Sequence, residues 1–152
     1  MRALGLDLGS RRVGVAICGS DARVAVPMTT LLRNPRNSAG DRKTDFISEI
    51  AKLVRDRKID VVVVGLPLSL SGRAGSAAAG ARSVIRQLRR SVGVPIVAWD
   101  ERLTTASAER ILMSRGLPSV KRRKVVDQLA ATVILQAWLE AGMPMTGQAV
   151  AE

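Results

Sequence analysis

The sequence predicts an α/β domain built on a mixed five-stranded sheet, a three-strand antiparallel meander plus two parallel strands, with helices on both faces. Three observations carry that prediction. Small and apolar residues alternate through 2–8 and again through 13–18, on either side of a turn at Ser10 to Arg12. A β-branched run from Val61 to Leu66 has the composition of a strand buried on both sides. The segments around that run repeat apolar residues at helical spacing. At 152 residues and 47% hydrophobic content, the chain can bury one proper core and fits one domain.

Taken in order, strands are expected at 2–8, at 13–18 and within 24–32. Residues 33–43 are polar and contain Pro35 and Gly40, which predicts a loop. Phe46, Ile47, Ile50, Leu53 and Val54 then mark a helix. After the strand Val61 to Leu66 come a helix at Ala77 to Val92 and a buried strand at Pro95 to Trp99. A helix at Thr104 to Arg115 is closed by Gly116 and Pro118, and a last helix runs from Lys124 to Ala141. A meander followed by right-handed helical crossovers gives the sheet described. Residues 1–142 are read as the domain and 143–152 as a frayed tail.

Charge and absences narrow the chemistry. The 24 lysines and arginines exceed the 13 acids, for a formal net charge of +11. So basic a domain calls for an anionic partner, and nucleic acid is the commonest. No apolar run of membrane-spanning length and no secretory leader is present, so no membrane role is expected. The lone Cys18 excludes an internal disulfide and fits a reducing, cytoplasmic setting. The chain has no histidine, which excludes Ser-His and Cys-His nucleophiles and His-based zinc sites. Phe46, Trp99 and Trp138 are the only aromatics, too few for a base-stacking platform. Chemistry must run on carboxylates, lysines, hydroxyls or bound metal.

Acids stand out at three places in the chain. Asp7 shares a strand face with Ala3, Gly5 and Gly9, and the next strand offers Gly14, Ala16 and Cys18 in the same pattern. Small residues let another group approach closely, and a mid-strand charge costs several kcal/mol unless paired or metal-bound, as an order of magnitude. The plain alternative is a pair with Arg11 or Arg12. Asp127 lies on the helix face of Ala130, Ala131, Ile134 and Trp138, aimed inward, although a first-turn acid is also favoured by the helix dipole. Asp100 and Glu101 follow the strand 95–99, at the end where ligands gather in parallel sheets. Alternation puts Asp100 with Ala98 and Glu101 with Trp99, which slightly favours Asp100 for the small face, but the chain can turn at a strand end, and either acid can instead cap or pair locally with Arg102. Asp45, Glu49, Asp56 and Asp60 suit the first helix's polar side or end, and Asp21 suits a turn.

Three converging carboxylates repel one another unless a cation sits among them. Oxygen donors suit Mg²⁺ or Mn²⁺, and two such ions about 4 Å apart can stabilise both the attacking and leaving oxygens of a phosphodiester.

In these residues and their neighbours, the chain resembles the YqgF/RuvX family of Holliday junction resolvase-like, pre-16S rRNA nucleases. Gly5-Leu6-Asp7-Leu8-Gly9-Ser10-Arg11-Arg12 through Ala16 resembles its opening motif, and Gly65-Leu66-Pro67-Leu68 with Gly72 its second. Asp100-Glu101-Arg102-Leu103-Thr104-Thr105 with Ala108-Glu109 resembles the third; Lys121 to Lys124, Asp127, Ala130-Ala131 and Ile134-Leu135-Gln136 resemble the fourth. The resemblance implies an RNase H-like fold and maturation of the 5′ end of precursor 16S rRNA in ribosome biogenesis. It also implies that Asp7, Glu101 and Asp127 are the catalytic, metal-binding acids, which prefers Glu101 while Asp100 stays a possible ligand. Junction resolvases resembling this fold carry two acids one turn apart on the last helix, and Asp127 has no such companion.

The run Lys121-Arg122-Arg123-Lys124, leading into the last helix, is expected to hold nucleic-acid phosphates, as are Arg11, Arg12 and Arg102. Arg82, Arg86, Arg89 and Arg90 form a basic stripe that reads first as a solvated helix face. Rival functions are a DNA junction resolvase, a non-catalytic RNA-binding assembly factor, and a phosphate-binding ATPase suggested by Asp7-Leu8-Gly9-Ser10. The ATPase needs a second such domain that 152 residues do not supply. A homodimer is left open.

Overall fold

The computed structural model describes residues 1–9, 11–21, 23–33, 45–67, 76–100 and 119–145, with side chains described from 79 onward in the second helix and from 128 onward in the last. Strands β1 (Ala3–Leu8), β2 (Arg12–Cys18) and β3 (Ala25–Leu32) come first, then α1 (Phe46–Asp56), β4 (Val61–Leu66), α2 (Ser76–Ser91), β5 (Ile96–Asp100) and α3 (Ser119–Glu140). The five strands form one sheet in the order β3-β2-β1-β4-β5. β1, β2 and β3 pair antiparallel, while β4 and β5 join β1 in parallel. This is the mixed sheet that the patterning predicts. The helix expected at 104–115 lies outside the described residues, as do most of the loop 33–43 and the end of the tail.

Alternation along the strands divides the core into two halves. On one face, Leu4, Leu6, Val13, Val15, Val62 and Val64 pack against Phe46, Ile47 and Ile50 of α1 and Val84, Ile85 and Leu88 of α2. On the other, Ala3, Ala16, Cys18, Val61, Val63, Val97 and Trp99 meet Ala131, Ile134, Leu135 and Trp138 of α3. All six residues of β4 are buried, as its unbroken apolar run requires. α1 starts where Asp45 accepts a hydrogen bond from the Ser48 N–H at 2.8 Å and satisfies one of the helix's free donors. Asp60 accepts from the Arg2 N–H at 2.8 Å. These acids therefore do the local work expected of them.

Two boundaries differ from the sequence reading. α3 begins at Ser119, not at Lys124, so the basic run 121–124 is part of the helix rather than a lead-in to it. The apolar period starts late, but lysine and arginine are good helix formers and extend the helix backwards to the residue after Pro118. β5 runs through Asp100, so this acid ends the strand instead of following it. Past α3, the Trp138 indole donates to the Pro144 carbonyl at 2.9 Å, and Met143 packs on the α3-side core.

The outer strand β3 includes Pro27, and its register against β2 shifts between Val15 and Ala16. Val24, Val26 and Leu32 are exposed along this border.

Candidate active site

Asp7 lies near the C-terminal end of β1, half-buried, on the face covered by α3. Its partner across the antiparallel ladder is Gly14. On the other side Leu6 pairs with Val64, so Gly65 follows beside Asp7, and Gly65 in turn pairs with Trp99. The carboxylate therefore stands between two glycines, with no side chain from either neighbour to crowd it. Just beyond, the chain reverses tightly: the Gly9 N–H donates to the Arg12 carbonyl at 2.9 Å. A Cβ on Gly9 would stand 2.6 Å from that carbonyl oxygen, so the turn admits no other residue without shifting. Arg33 fastens the same turn, donating through Nη1 to the Gly9 carbonyl at 2.9 Å. Arg11 and Arg12 are exposed in it.

α3 lies unusually close to β1. A Cβ on Gly5 would meet the Leu135 Cβ at 2.7 Å and the Ala131 carbonyl oxygen at 2.9 Å. Two glutamines fix the helix lengthwise. Gln128 donates to the Thr30 hydroxyl at 3.1 Å, and Thr30 pairs with Gly14, hence with the row of Asp7. Gln136 accepts from the Ala25 N–H at 2.9 Å, and Ala25 pairs with Cys18, hence with the row of Ala3. The helix therefore runs antiparallel to β1. Between these ties, the helix rise of roughly 12 Å at 1.5 Å per residue matches the strand rise of roughly 13 Å. Position 127, one residue before Gln128 and one turn before Ala131, falls at the level of Asp7 along the sheet. The sequence pattern puts Asp7 and position 127 on small-residue faces; the side chain of Asp127 lies outside the described residues.

Asp100 is buried, at 6% exposure. The preference for it on grounds of alternation is corrected. Ile96 and Ala98 belong to the α1/α2 face, whereas Val97 and Trp99 belong to the α3 face. By alternation Asp100 would share the face of Ala98 rather than that of Trp99. A small side chain at 98 suggests the small face, but β5 lies beyond the close crossing of α3 and carries Trp99 on that side. Glu101 and Arg102 lie outside the described residues, as do the side chains of Asp127 and Lys121 to Lys124. Among the described residues, no group of three acidic or cysteine side chains comes together as a metal site.

Sequence reasoning missed Arg33, Gln128 and Gln136 as organisers of the site. Gln128 and Gln136 were visible as polar residues on a helix otherwise buried nearly all round, where a polar group needs a named partner. Arg33 gave no signal, because its partner is a backbone carbonyl 24 residues away.

The donor set suits a hard divalent cation. Asp7 would supply oxygen ligands of the kind such an ion prefers. No helix among the described residues is long and apolar enough to cross a membrane.

Comparison with known proteins identifies the family and the fold. The profile of a family described as "RuvX: Holliday junction resolvase" matches residues 1–141. A protein of Syntrophus aciditrophicus named "Putative pre-16S rRNA nuclease" is 43% identical over 142 residues, covering 93% of this chain and 89% of its own. A relative of the same name from Anaeromyxobacter is 42% identical, covering 95% of this chain and 100% of its own. Among solved structures, Thermus thermophilus RuvC in complex with a Holliday junction substrate superposes with a TM-score of 0.59 at 18% identity, covering 94% of this chain and 98% of its own. At that identity the likeness shows the RNase H-like fold alone. With the family profile spanning nearly the whole chain and close relatives matching end to end, the chain belongs to the RuvX family.

Proposed function

We propose that the protein is a metal-dependent nuclease in which Asp7, Glu101 and Asp127 together hold Mg²⁺ or Mn²⁺ and hydrolyse phosphodiester bonds. The observation that carries this reading is the level match of position 127 with Asp7 on the face where Gly5, Gly14 and Gly65 surround the strand. Glu101 is preferred to Asp100 as the third ligand, because alternation along β5 directs Asp100 to the opposite face. When bound, the metal would activate a water and neutralise charge on the phosphate under attack.

The protein's own groups do the rest. The three carboxylates hold a fixed negative cluster that favours cation binding over protonation. Arg33 keeps the turn after β1 closed, so the Asp7 carboxylate sits on a rigid strand end. Arg11, Arg12 and Arg102, with Lys121 to Lys124 on the first turns of α3, would grip substrate phosphates around the site. The names of the close relatives support precursor 16S rRNA as the substrate; trimming of its 5′ end is part of the proposal. A protein acting on newly made rRNA works in the cytoplasm.

The test is cleavage of an end-labelled precursor rRNA by purified protein with Mn²⁺. Asp7→Asn and Glu101→Gln are each expected to lower the rate by at least about 100-fold, and Asp100→Asn far less. Wild-type protein should also gain thermal stability on adding Mn²⁺, and Asp7→Asn should not. An Asp7→Asn variant that cuts at the wild-type rate overturns the reading. A four-way DNA junction in the same assay covers the activity in the family's description.

A further inference from the structure

Helix α2 lies on the face of the sheet opposite α3, and its composition is lopsided. From Val61 to Trp99 the chain contains no aspartate or glutamate, while α2 alone carries Arg82, Arg86, Arg89 and Arg90. A helix serving only to cover a sheet does better with mixed signs. Like charges four residues apart, as in Arg82/Arg86 and Arg86/Arg90, each destabilise a helix by about 0.2–0.5 kcal/mol, and an acid in the first turn, absent here, would help.

The arginines also share one flank. Ala81, Val84, Ile85 and Leu88 face the sheet, while Gly80, Ser83 and Gln87 border a groove against the start of α1. Helical geometry puts Arg86, Arg89 and Arg90 on the remaining side, away from α1. Glu49 and Asp56 of α1 line a different groove, against β3, and do not face this stripe. Arg86, Arg89 and Arg90 are exposed. Arg89 donates to the Ile96 carbonyl at 3.3 Å, which lays it along the β5 border and leaves its other donors available. Arg82 is half-buried and already engaged within the protein, so it is not counted as part of the surface.

We propose that Arg86, Arg89 and Arg90 form a second phosphate-binding surface, which holds the backbone of a long nucleic-acid substrate outside the cleavage site. Arg86 and Arg90 are roughly 6 Å apart along the axis, enough to meet about two successive phosphates of one strand. Arginines spread along an open helix face meet the phosphate backbone first, so the surface contributes reach and orientation rather than sequence choice. The identity of the polyanion rests on the nuclease reading; the surface itself does not.

The experiment measures binding without cleavage. Fluorescently labelled RNA of about 12 and about 40 nucleotides is titrated with metal-free full-length protein at several salt concentrations, and the bound fraction is read by anisotropy. The Arg86→Gln/Arg90→Gln variant should bind the long RNA about 5–10-fold more weakly, with the slope of log affinity against log salt reduced by about 1.4 for a single strand. The short RNA should change less than twofold. A second variant, Lys52→Gln/Arg55→Gln, removes the same charge from exposed positions on α1 and should leave both RNAs within twofold. Equal losses from the two variants would reduce the effect to overall charge and overturn the proposal, as would an unchanged α2 variant. In cleavage, KM for a long substrate should rise while kcat stays put. Should the protein prove unable to cut RNA, the binding arms still decide this proposal, so the two failures are separable.

Discussion

The two faces of the central sheet are made from the same strands yet built to opposite specifications. Towards α1 and α2, β1 and β2 present Leu4, Leu6, Val13 and Val15, all fully buried. Towards α3 they present Ala3, Gly5, Asp7, Gly14 and Ala16. The first face gains stability from volume, with each buried leucine or valine worth about 1.5–3 kcal/mol. The second gives up that volume so that a helix backbone can come within contact of a strand backbone. On the proposed reading, stability and chemistry are thus allotted to alternate residues of one strand.

The sharpest way to break this contrast is Leu6→Ala. It should cost about 3–4 kcal/mol, measured by chemical denaturation, while the folded fraction keeps near-normal turnover because the Asp7 side is untouched. Gly5→Val tests the other face. The new side chain would meet Leu135 and the Ala131 carbonyl, so a loss of about 2–3 kcal/mol is expected, near 6–10 °C in Tm. Here turnover should fall too, since α3 must move relative to Asp7. If both variants lose turnover equally, the division of labour fails. Gln128→Ala removes a part-buried hydrogen bond and should cost about 1 kcal/mol, with turnover lowered more than KM is raised.

The smallest effect concerns Cys18, whose thiol is pushed above its ordinary range, chiefly by burial. The unfolded thiol ionises first as pH rises, so the unfolded state then binds fewer protons and stability falls with pH. The contribution is complete below the unfolded value, about 8.5, and disappears as pH climbs through the folded one. Thermal melts from pH 7 to 10 should show this decline, and Cys18→Ala should flatten it.

Much of the architecture was legible because it rests on period. Strand alternation gave β1 and β2, and the β-branched run gave β4, each within a residue or two. The small-residue face of β1 and β2 was legible for the same reason, and α3 packs closely on it at Gly5. What eluded the sequence depends on distant partners or on the end of a period. The start of α3 was hidden because lysines and arginines continue a helix without showing a face. Side-chain size was a poor guide to the faces of β5, since small Ala98 lies on the α1/α2 face and Trp99 on the α3 face. The tie from Gln128 to Thr30 spans 98 residues, and no local pattern announces it.

The border strand β3 has a consequence for how the protein behaves in crowded solution. Pro27 has no amide hydrogen to offer, and the register shift opposite it bends the row of donors that a foreign strand would need to zip along. The exposed valines and leucine there would otherwise make an adhesive rim. An imino acid and one misaligned residue make this greasy border a poor template for a foreign strand.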